Sequence, residues 1–153
     1  MKREIKFRAW DNLENRWYKP TFEGYRGKIE EIMLSLRGRL TMRTMTESID
    51  ESMFPNRFEL MQYTGLHDKN GLEIYEGDIV HVWDNGVAVV IFDESLGCGQ
   101  WMCKFKPAFP DFEEWSAPLY GWLDGNVDGS VFEILGNVYE TQELMEVSEH
   151  DED

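Results

Sequence analysis

Acidic side chains crowd into the centre of the sequence, where they could carry out metal-dependent chemistry. The candidates are Glu73, Glu76, Asp78, Asp84 and Asp93. Two or three converging carboxylates can hold Mg²⁺ or Mn²⁺ for phosphodiester cleavage. However, a chain with 30 acidic residues among 153 also brings carboxylates together by chance, and Glu76 and Asp78 suit roles in turns. We therefore favour a structural role for these residues and predict no metal site and no cofactor.

The other reactive residues lack the spacing of a catalytic or metal site. Cys98 and Cys103 are the only cysteines, whereas a structural zinc site usually needs four ligands. His67 and His81 would complete such a site only if the fold brought them close. The sequence contains no P-loop, Gly-x-Ser-x-Gly or His-Glu-x-x-His motif. We expect two reduced cysteines, no catalytic residue and no enzyme activity.

Charge is distributed unevenly along the chain, whose net charge is −15. Residues 1–43 contain 11 Lys and Arg against 6 Asp and Glu, a net charge of +5, whereas residues 44–153 contain 4 against 24, a net charge of −20. An acidic body repels phosphates, so direct nucleic-acid binding is disfavoured. Attraction between the basic end of one copy and the acidic end of another is one interpretation. An acidic surface that only maintains solubility is the other.

Alternating residue types predict β-structure at the start of the chain. In residues 4–11, Ile5, Phe7 and Ala9 share one side, which predicts a strand buried on that face. Turn-forming residues and the aromatic segment 16–19 then continue it into a hairpin. Because no long apolar run is present, we expect neither a signal peptide nor a membrane span and place the protein in the cytoplasm.

A helical period follows this hairpin. The i, i+3, i+4, i+7 spacing of one helix face is found at Ile29, Ile32, Met33 and Leu36. Gly38 would stop this helix. Residues 44–55 also have helical spacing, with Thr44 as a cap, but a mobile loop fits them equally well. We therefore predict one or two short helices around residues 28–53.

The rest of the chain has the pattern of a β-barrel. The β-branched runs 79–83 and 87–92 flank Asp84-Asn85-Gly86, which is a strong hairpin signal. Asn70-Gly71 and Gly77-Asp78 are interpreted as bends around short strands. The predicted fold is mainly β (α+β), a small SH3-like barrel with an N-terminal hairpin and one or two short helices.

This pattern divides the chain into three parts. Residues 1–57 are expected to form the hairpin and the helical segment. Residues 58–141 form the barrel core, which carries an aromatic loop at 107–129. Residues 142–153 begin as a short helix and end as an acidic tail.

Aromatic residues are frequent in the Pro- and Gly-rich loop, where full burial is difficult. They include Phe109, Phe112, Trp115, Tyr120 and Trp122. Exposed Trp and Tyr side chains often anchor protein interfaces. The alternative is that the loop folds back and caps the barrel. We take these five residues as the candidate interaction site.

Three segments of the sequence resemble the YopX family. They are IKFRAWD followed by RWY near the start, LMQYTGLHDKNGLEIYEGDIVHV in the centre, and FEILGNVYET near the end. The resemblance implies a phage- or prophage-encoded protein in the cytoplasm of a bacterial host, with a β-rich fold and a tendency to oligomerise. It supplies no biochemical activity and no catalytic residues.

The function predicted from these features is a non-catalytic, self-assembling protein-interaction module. Its partners would be copies of itself and a host or phage protein. One alternative is an acidic decoy that blocks a host DNA-binding protein, suggested by the charge alone. A divalent-metal nuclease is the less favoured alternative, because the acidic body would repel its substrate.

Overall fold

The computed structural model describes residues 4–22, 29–83, 86–95, 97–107, 113, 115–119 and 131–146. The predicted mainly β fold is confirmed, and one sheet curls into a half-barrel. The strands are β1 (Phe7–Asp11), β2 (Arg16–Trp17), β3 (Thr21–Phe22), β4 (Ile29–Leu34), β5 (Leu40–Thr44), β6 (Ser48–Asp50), β7 (Phe58–His67), β8 (Glu73–Tyr75), β9 (Asp78–Val82), β10 (Gly86–Asp93), β11 (Gln100–Phe105), β12 (Trp115–Pro118) and β13 (Phe132–Asn137). Short 3-10 helices span Glu51–Met53 and Gln142–Met145. In the described ranges no helix is long and apolar enough to cross a membrane.

Contacts between residues divide the chain into two compact units. Unit 1 comprises Met1–Phe7 and Met61–Asp153, and unit 2 comprises Arg8–Leu60. The chain passes from one unit to the other within β1 and again within β7.

Unit 1 contains the half-barrel, a five-stranded antiparallel sheet in the order β12-β11-β10-β9-β13. The predicted central hairpin is confirmed by its strands, because β9 and β10 pair with Val80 opposite Ala88. Asp84 and Asn85 of its turn lie outside the described residues. β13 pairs with β9 and is irregular between Ile134 and Gly136.

The core of unit 1 lies on one face of this sheet. It consists of fully or almost fully buried residues from β8 to β13 and the residue after β12, namely Ile74, Val80, Val82, Ala88, Val90, Cys103, Phe105, Leu119 and Phe132. The β-branched residues of β9 and β10 alternate between this face and the other, as strand geometry requires. The predicted face of β11 is confirmed, since Cys103 and Phe105 belong to the core and Trp101 packs against it.

A buried carboxylate connects the loop after β7 to the edge of the half-barrel. Asp68 is 2% exposed, and its Oδ1 accepts hydrogen bonds from the backbone N–H groups of Asn70 and Leu72, both at 2.9 Å. Its Oδ2 accepts from the N–H of Ile134 in β13 at 3.1 Å. The N–H of Lys69 also donates to the Phe132 carbonyl at 2.9 Å. This loop therefore covers the outer edge of β13.

The bend at Gly77-Asp78 is also held by a buried carboxylate, that of Asp78. Gly77 has φ +83°, and a Cβ there would lie 3.2 Å from the sulfur of Met61. Asp78 is almost fully buried and accepts a hydrogen bond from the Tyr75 N–H at 2.8 Å. The glycine allows the sharp reversal into β9 and the carboxylate closes it, so both residues of the predicted bend are structural.

Asn137 closes the turn that follows β13. Its side-chain oxygen accepts from the N–H groups of Tyr139 (3.0 Å) and Glu140 (2.9 Å). Its own N–H donates to Oγ1 of Thr141 at 2.8 Å. A Cβ on Gly136 would lie 1.9 Å from that oxygen, so the turn requires glycine at this position. The turn leads into the 3-10 helix Gln142–Met145, where the sequence predicted a short helix.

Unit 2 is built around a four-stranded antiparallel sheet, β3-β4-β5-β6. Ile32 lies opposite Met42, and Met42 lies opposite Ile49. These side chains pack with Ala9 and Phe58 in a second, smaller core. The predicted N-terminal hairpin is also present, because β1 pairs with β2 and the rings of Trp10 and Trp17 meet edge to face at 5.1 Å.

The helix predicted from Ile29 to Leu36 is wrong, because residues 29–34 form β4. A short apolar run fits both periods, and here pairing with β5 decides between them. Gly38 ends no helix but takes φ +81° in the turn between the two strands, where the Ser35 N–H donates to the Arg39 carbonyl. Leu36, predicted on the buried face, is fully exposed at the tip of that turn.

The second uncertain segment is also mostly β. It contains β6 and only one helical turn, Glu51–Met53, which Asp50 caps by accepting from the Ser52 N–H. Thr44 caps no helix; its Oγ1 accepts from the N–H of Glu47 at 3.2 Å in the turn before β6. The described part of this segment, residues 29–53, therefore contains one short helix and three strands.

The first strand is buried differently from the alternating prediction. Ala9 is buried as expected, but Ile5 is 58% exposed and Phe7 is 43% exposed. Trp10, assigned to the opposite face, is also buried, because it packs against Trp17. Residues on both faces are therefore buried near the end of this strand, whereas Ile5 and Phe7 at its start are exposed. Simple alternation of buried and exposed residues does not describe this pattern.

Candidate interaction surface

Trp115 is the one member of the predicted aromatic site that the structure describes. It opens β12, an end strand of the half-barrel, directly opposite Phe105 of β11. The two rings are stacked almost parallel, with centroids 3.9 Å apart and planes inclined by 5°. Trp115 is nevertheless 44% exposed, whereas Phe105 is buried. The other four predicted residues, Phe109, Phe112, Tyr120 and Trp122, lie outside the described residues.

Two further exposed aromatic residues were missed by the sequence analysis. Trp83, directly after β9, is 68% exposed, and Phe92 near the end of β10 is 44% exposed. Val80 and Val82 belong to the core, so strand alternation directs Trp83 to the opposite face. The alternation of side chains along the strand could have predicted this exposure from the sequence. It was overlooked because residues 79–83 form an almost continuous apolar run.

A groove of about 290 Å³ lies beside β10 and β11 of the half-barrel. We call it the lysine groove; it is lined by Val89, Lys104, Phe105, Pro107, Val138, Gln142 and Met145. Val89 and Lys104 lie opposite each other in β10 and β11. The turn after β13 and the 3-10 helix Gln142–Met145 supply the other wall. Five of its seven lining residues are apolar, and Lys104 supplies the one cationic side chain.

The carboxylates proposed as a metal site have other partners. Glu73 accepts from Lys6 Nζ at 2.6 Å and from the Tyr75 hydroxyl at 3.0 Å. Asp78 closes the bend described above, and Asp93 accepts from the Ser95 N–H at 2.8 Å. Asp84 lies outside the described residues. Across the described ranges, no three His, Cys, Asp or Glu side chains converge to hold a metal ion.

Lys6 and Glu73 form the main charged cluster of unit 1. The hydrogen bond from Lys6 lowers the pKa of Glu73, and the hydrogen bonds to Glu73 and Glu4 raise the pKa of Lys6. The ammonium group also lies 5.5 Å from the centre of the buried Tyr63 ring. These shifts keep both partners charged at neutral pH, so the cluster acts as an ion pair on the sheet and supplies no poised acid or base.

The two cysteines differ sharply in their surroundings. Cys98 is exposed in the loop between β10 and β11, whereas Cys103 is fully buried in β11. Burial raises the pKa of the Cys103 thiol to about 12. Because the thiolate is the reactive form, we expect iodoacetamide at pH 8 to modify Cys98 alone in the native protein and both residues after denaturation. Mass spectrometry of the labelled peptides measures this, and equal native labelling would contradict the buried position.

Unit 2 contains a second, more polar groove of about 470 Å³, whose lining includes Arg39 and Arg57. Both guanidinium groups are held by carboxylates. Arg57 forms a two-pronged pair with buried Asp11, at 3.0 and 3.1 Å, and Arg39 donates from Nε to Asp50 at 2.7 Å. Glu51 and Glu59 also line the groove, which is therefore balanced in charge and offers no distinct anion site.

The division into units changes the picture of the charge distribution. Unit 2 contains 9 Lys and Arg against 9 Asp and Glu and is neutral, although it includes most of the basic first third of the sequence. Unit 1 contains 6 against 21 and therefore has the whole net charge of −15. The charge asymmetry thus lies between a neutral unit and an acidic one.

Comparison with known proteins found a similar solved structure and a matching family model. The crystal structure of protein EF1440 from Enterococcus faecalis is similar to this chain, with 24% sequence identity, a TM-score of 0.47, and coverage of 95% of this chain and 100% of that chain. No curated protein sequence matches the chain significantly. The family model described as YopX protein matches residues 6–146, which is nearly the whole length. The predicted family is confirmed, and the chain belongs to the YopX protein family.

Proposed function

We propose that this YopX-family chain is a non-catalytic protein-interaction module, which assembles with copies of itself and binds a host or phage protein. It would act in the bacterial cytoplasm as an accessory protein of a phage or prophage. The observation that carries the proposal is the exposed ring of Trp115, which is stacked on buried Phe105 in the end strand of the half-barrel.

Trp115 has the properties of an interface anchor. A tryptophan ring presents a large contact area with few rotatable bonds, so little entropy is lost when a partner covers it. The stack on Phe105 holds the ring in place before binding, which reduces that loss further. Among the described strands, β12 pairs only with β11, so the ring lies at the edge of the sheet. Hot spots of protein interfaces are enriched in such residues.

A capture experiment from bacterial lysate tests the partner-binding part of the proposal. The tagged full-length protein is compared with the Trp115→Ala and Phe92→Ala variants at low and high salt. Phe92 is the matched control, because it is also 44% exposed and touches Trp101 edge to face at 5.0 Å. We expect a specific partner that survives high salt and is lost with Trp115→Ala but kept with Phe92→Ala, because an apolar anchor is insensitive to screening.

Other outcomes of the capture experiment would point elsewhere. A partner that both variants retain equally would contradict the role of Trp115. A DNA-binding protein that is released at high salt would favour the acidic decoy, to which unit 1 is suited by its net charge of −15. Recovery of no specific partner would contradict binding to a host or phage protein.

A further inference from the structure

We propose that copies of the chain join by placing the tip of the β4–β5 hairpin of one copy in the lysine groove of the next. Leu36 would enter the groove, and Arg37 would pair with carboxylates beside it. The inference rests on the self-assembly proposed above and names the contact that would produce it. The hairpin belongs to unit 2 and the groove to unit 1, so the neutral unit of one copy would hold the acidic unit of another.

The hairpin tip presents apolar side chains to solvent. Leu36 is fully exposed in the turn, and Met33 and Leu34 at the end of β4 are exposed as well. Neighbouring strand residues point to opposite faces, so these two side chains lie on the two sides of the hairpin. A partner that encloses the tip would therefore remove more apolar surface from water than one that touches a single face.

The turn at the tip is closed by hydrogen bonds. The N–H of Ser35 donates to the Arg39 carbonyl and the N–H of Gly38 donates to the Ser35 carbonyl, both at 2.9 Å. The hydroxyl oxygen of Ser35 also accepts from the Arg39 N–H at 3.1 Å. Leu36 and Arg37 are thus held at the tip before binding, so little backbone entropy is lost when a partner covers them.

The hairpin tip is basic, although unit 2 as a whole is neutral. Residues 34–43 contain three arginines and no acidic residue. Arg39 is paired with Asp50, whereas Arg37 is exposed and forms no ion pair with a described residue. The tip therefore combines a fully exposed leucine with an adjacent cation that is available to a partner.

The lysine groove is suited to receive a single apolar side chain. Its volume of about 290 Å³ is at the lower limit of small-molecule pockets. Val89, Pro107 and Val138 give it apolar walls. Met145 adds a flexible thioether, which can adapt to the shape of an inserted side chain.

Carboxylates lie beside the helical wall of the groove. Residues three apart in a 3-10 helix share one face, so Gln142 and Met145 both line the groove. The next face carries Glu143 and, directly after the helix, Glu146. Both are exposed, and neither forms an ion pair within the described part of the chain. Lys104 is on the strand wall and has an interaction of its own. A cation next to an inserted leucine would therefore meet carboxylates at the rim of the groove.

Charge favours a second copy over a phosphate surface as the occupant of this contact. An anionic membrane or DNA could also accept a basic, apolar tip, but the net charge of −15 on unit 1 would repel both. With a second copy the same charge becomes an attraction, because it draws the arginine of the tip towards unit 1.

The nature of the contact predicts the kind of assembly. The hairpin tip and the groove are different patches, so each copy gives one contact and receives another. Such a head-to-tail contact forms a closed ring if the rotation between neighbours closes, and a filament if it does not.

Charge-exchange variants test the contact by sedimentation velocity on the full chain, whose wild type is expected to assemble. Arg37→Glu and Glu143→Arg each place like charges in the contact, so each should raise the apparent dissociation constant about 10-fold. The double variant Arg37→Glu/Glu143→Arg restores opposite charges and should assemble like the wild type. The matched control is Arg37→Glu/Glu94→Arg, which has the same net charge and changes an exposed carboxylate after β10. It should remain dissociated.

A second pair of variants tests the apolar part of the contact. Leu36→Ser removes the inserted side chain and should raise the apparent dissociation constant roughly 30-fold, as for a hot-spot residue. Leu13→Ser changes another exposed leucine in a turn of unit 2 and should assemble like the wild type.

The outcomes separate this inference from the function on which it rests. If the wild type, Leu36→Ser and Arg37→Glu assemble equally well, the hairpin contact is wrong but self-assembly stands. The pairing with the lysine groove is wrong if Glu143→Arg fails to rescue Arg37→Glu while circular dichroism shows both variants folded, or if Glu94→Arg rescues it equally well.

A wild type that remains monomeric at all concentrations would overturn self-assembly itself. The monomer is then mixed with phosphatidylglycerol vesicles and with duplex DNA. Binding to either that is lost with Leu36→Ser would identify a phosphate surface as the occupant in place of a second copy.

Discussion

Replacing Asp68 with alanine is expected to lower the free energy of unfolding by about 3 kcal/mol, through the loss of charge-assisted hydrogen bonds. The buried carboxylate accepts from three backbone N–H groups, those of Asn70, Leu72 and Ile134. Alanine leaves these donors without an acceptor in a region that excludes water, and it disconnects the loop from β13. Urea unfolding followed by tryptophan fluorescence measures the change.

Two further variants make the Asp68 prediction specific. Asp68→Asn keeps one carbonyl oxygen, which can serve Asn70 and Leu72, and should lose about half as much stability as the alanine variant. Asp93→Ala removes a turn carboxylate that accepts from Ser95 in an exposed position, and should cost much less. If Asp68→Ala and Asp93→Ala were equally mild, the Asp68 carboxylate would not connect the loop to the half-barrel.

Replacing Arg57 with alanine is expected to lower the stability of unit 2 by about 3 kcal/mol, because it leaves a buried charge unpaired. Asp11 is 3% exposed and depends on Arg57 for two hydrogen bonds. The guanidinium also covers the Phe58 ring at 4.9 Å. Arg57→Lys retains the positive charge but not the two-pronged geometry. Its free energy of unfolding should therefore lie between those of the wild type and Arg57→Ala. Arg39→Ala breaks an exposed pair with Asp50 and is the control with the smaller effect.

The effect of Arg57→Ala should depend on pH with a definite sign. Burial alone would raise the pKa of Asp11, but hydrogen bonds from Arg57 and from the N–H groups of Leu13 and Glu14 outweigh it and lower the pKa. Stability from a lowered carboxyl pKa is present above the unfolded value, about 3.9, and is lost as the pH falls through the folded value. The stability difference between wild type and Arg57→Ala should therefore be full at pH 7 and shrink as the pH falls below about 4, towards the lowered pKa of Asp11 in the folded protein. Urea unfolding at several pH values measures it, and a constant difference would contradict the role of Asp11.

The parts of the fold that could be predicted from the sequence are those determined by local chemistry. The hairpin of β9 and β10 follows from β-branched runs around a turn, and the bend at Gly77-Asp78 follows from residue types that suit reversals. The half-barrel core follows from the same alternation. In each case the structure is determined by residues that are close together in the sequence.

The parts that could not be predicted depend on partners distant in the sequence. β4 has a helical spacing of apolar residues and becomes a strand because β5 returns beside it. The role of Asp68 was concealed because one of its partners, Ile134, is 66 residues away. Trp83 lay within an apolar run, and its exposure depends on which face of the sheet the core occupies. The lysine groove joins β10 and β11 to the segment after β13, which no local pattern could indicate.

The pairing of β13 with β9 has a consequence for how the protein matures on the ribosome. Its last half-barrel strand, Phe132–Asn137, joins a strand made about 50 residues earlier, Asp78–Val82. Until residue 137 has left the exit tunnel, β9 lacks its second neighbour and Asp68 lacks Ile134 as a donor. Long-range pairing of this kind slows folding, and it leaves one edge of an apolar strand unpaired in the nascent chain. Completion of the half-barrel is therefore a late event, and chaperones that bind apolar strands have a long interval in which to act.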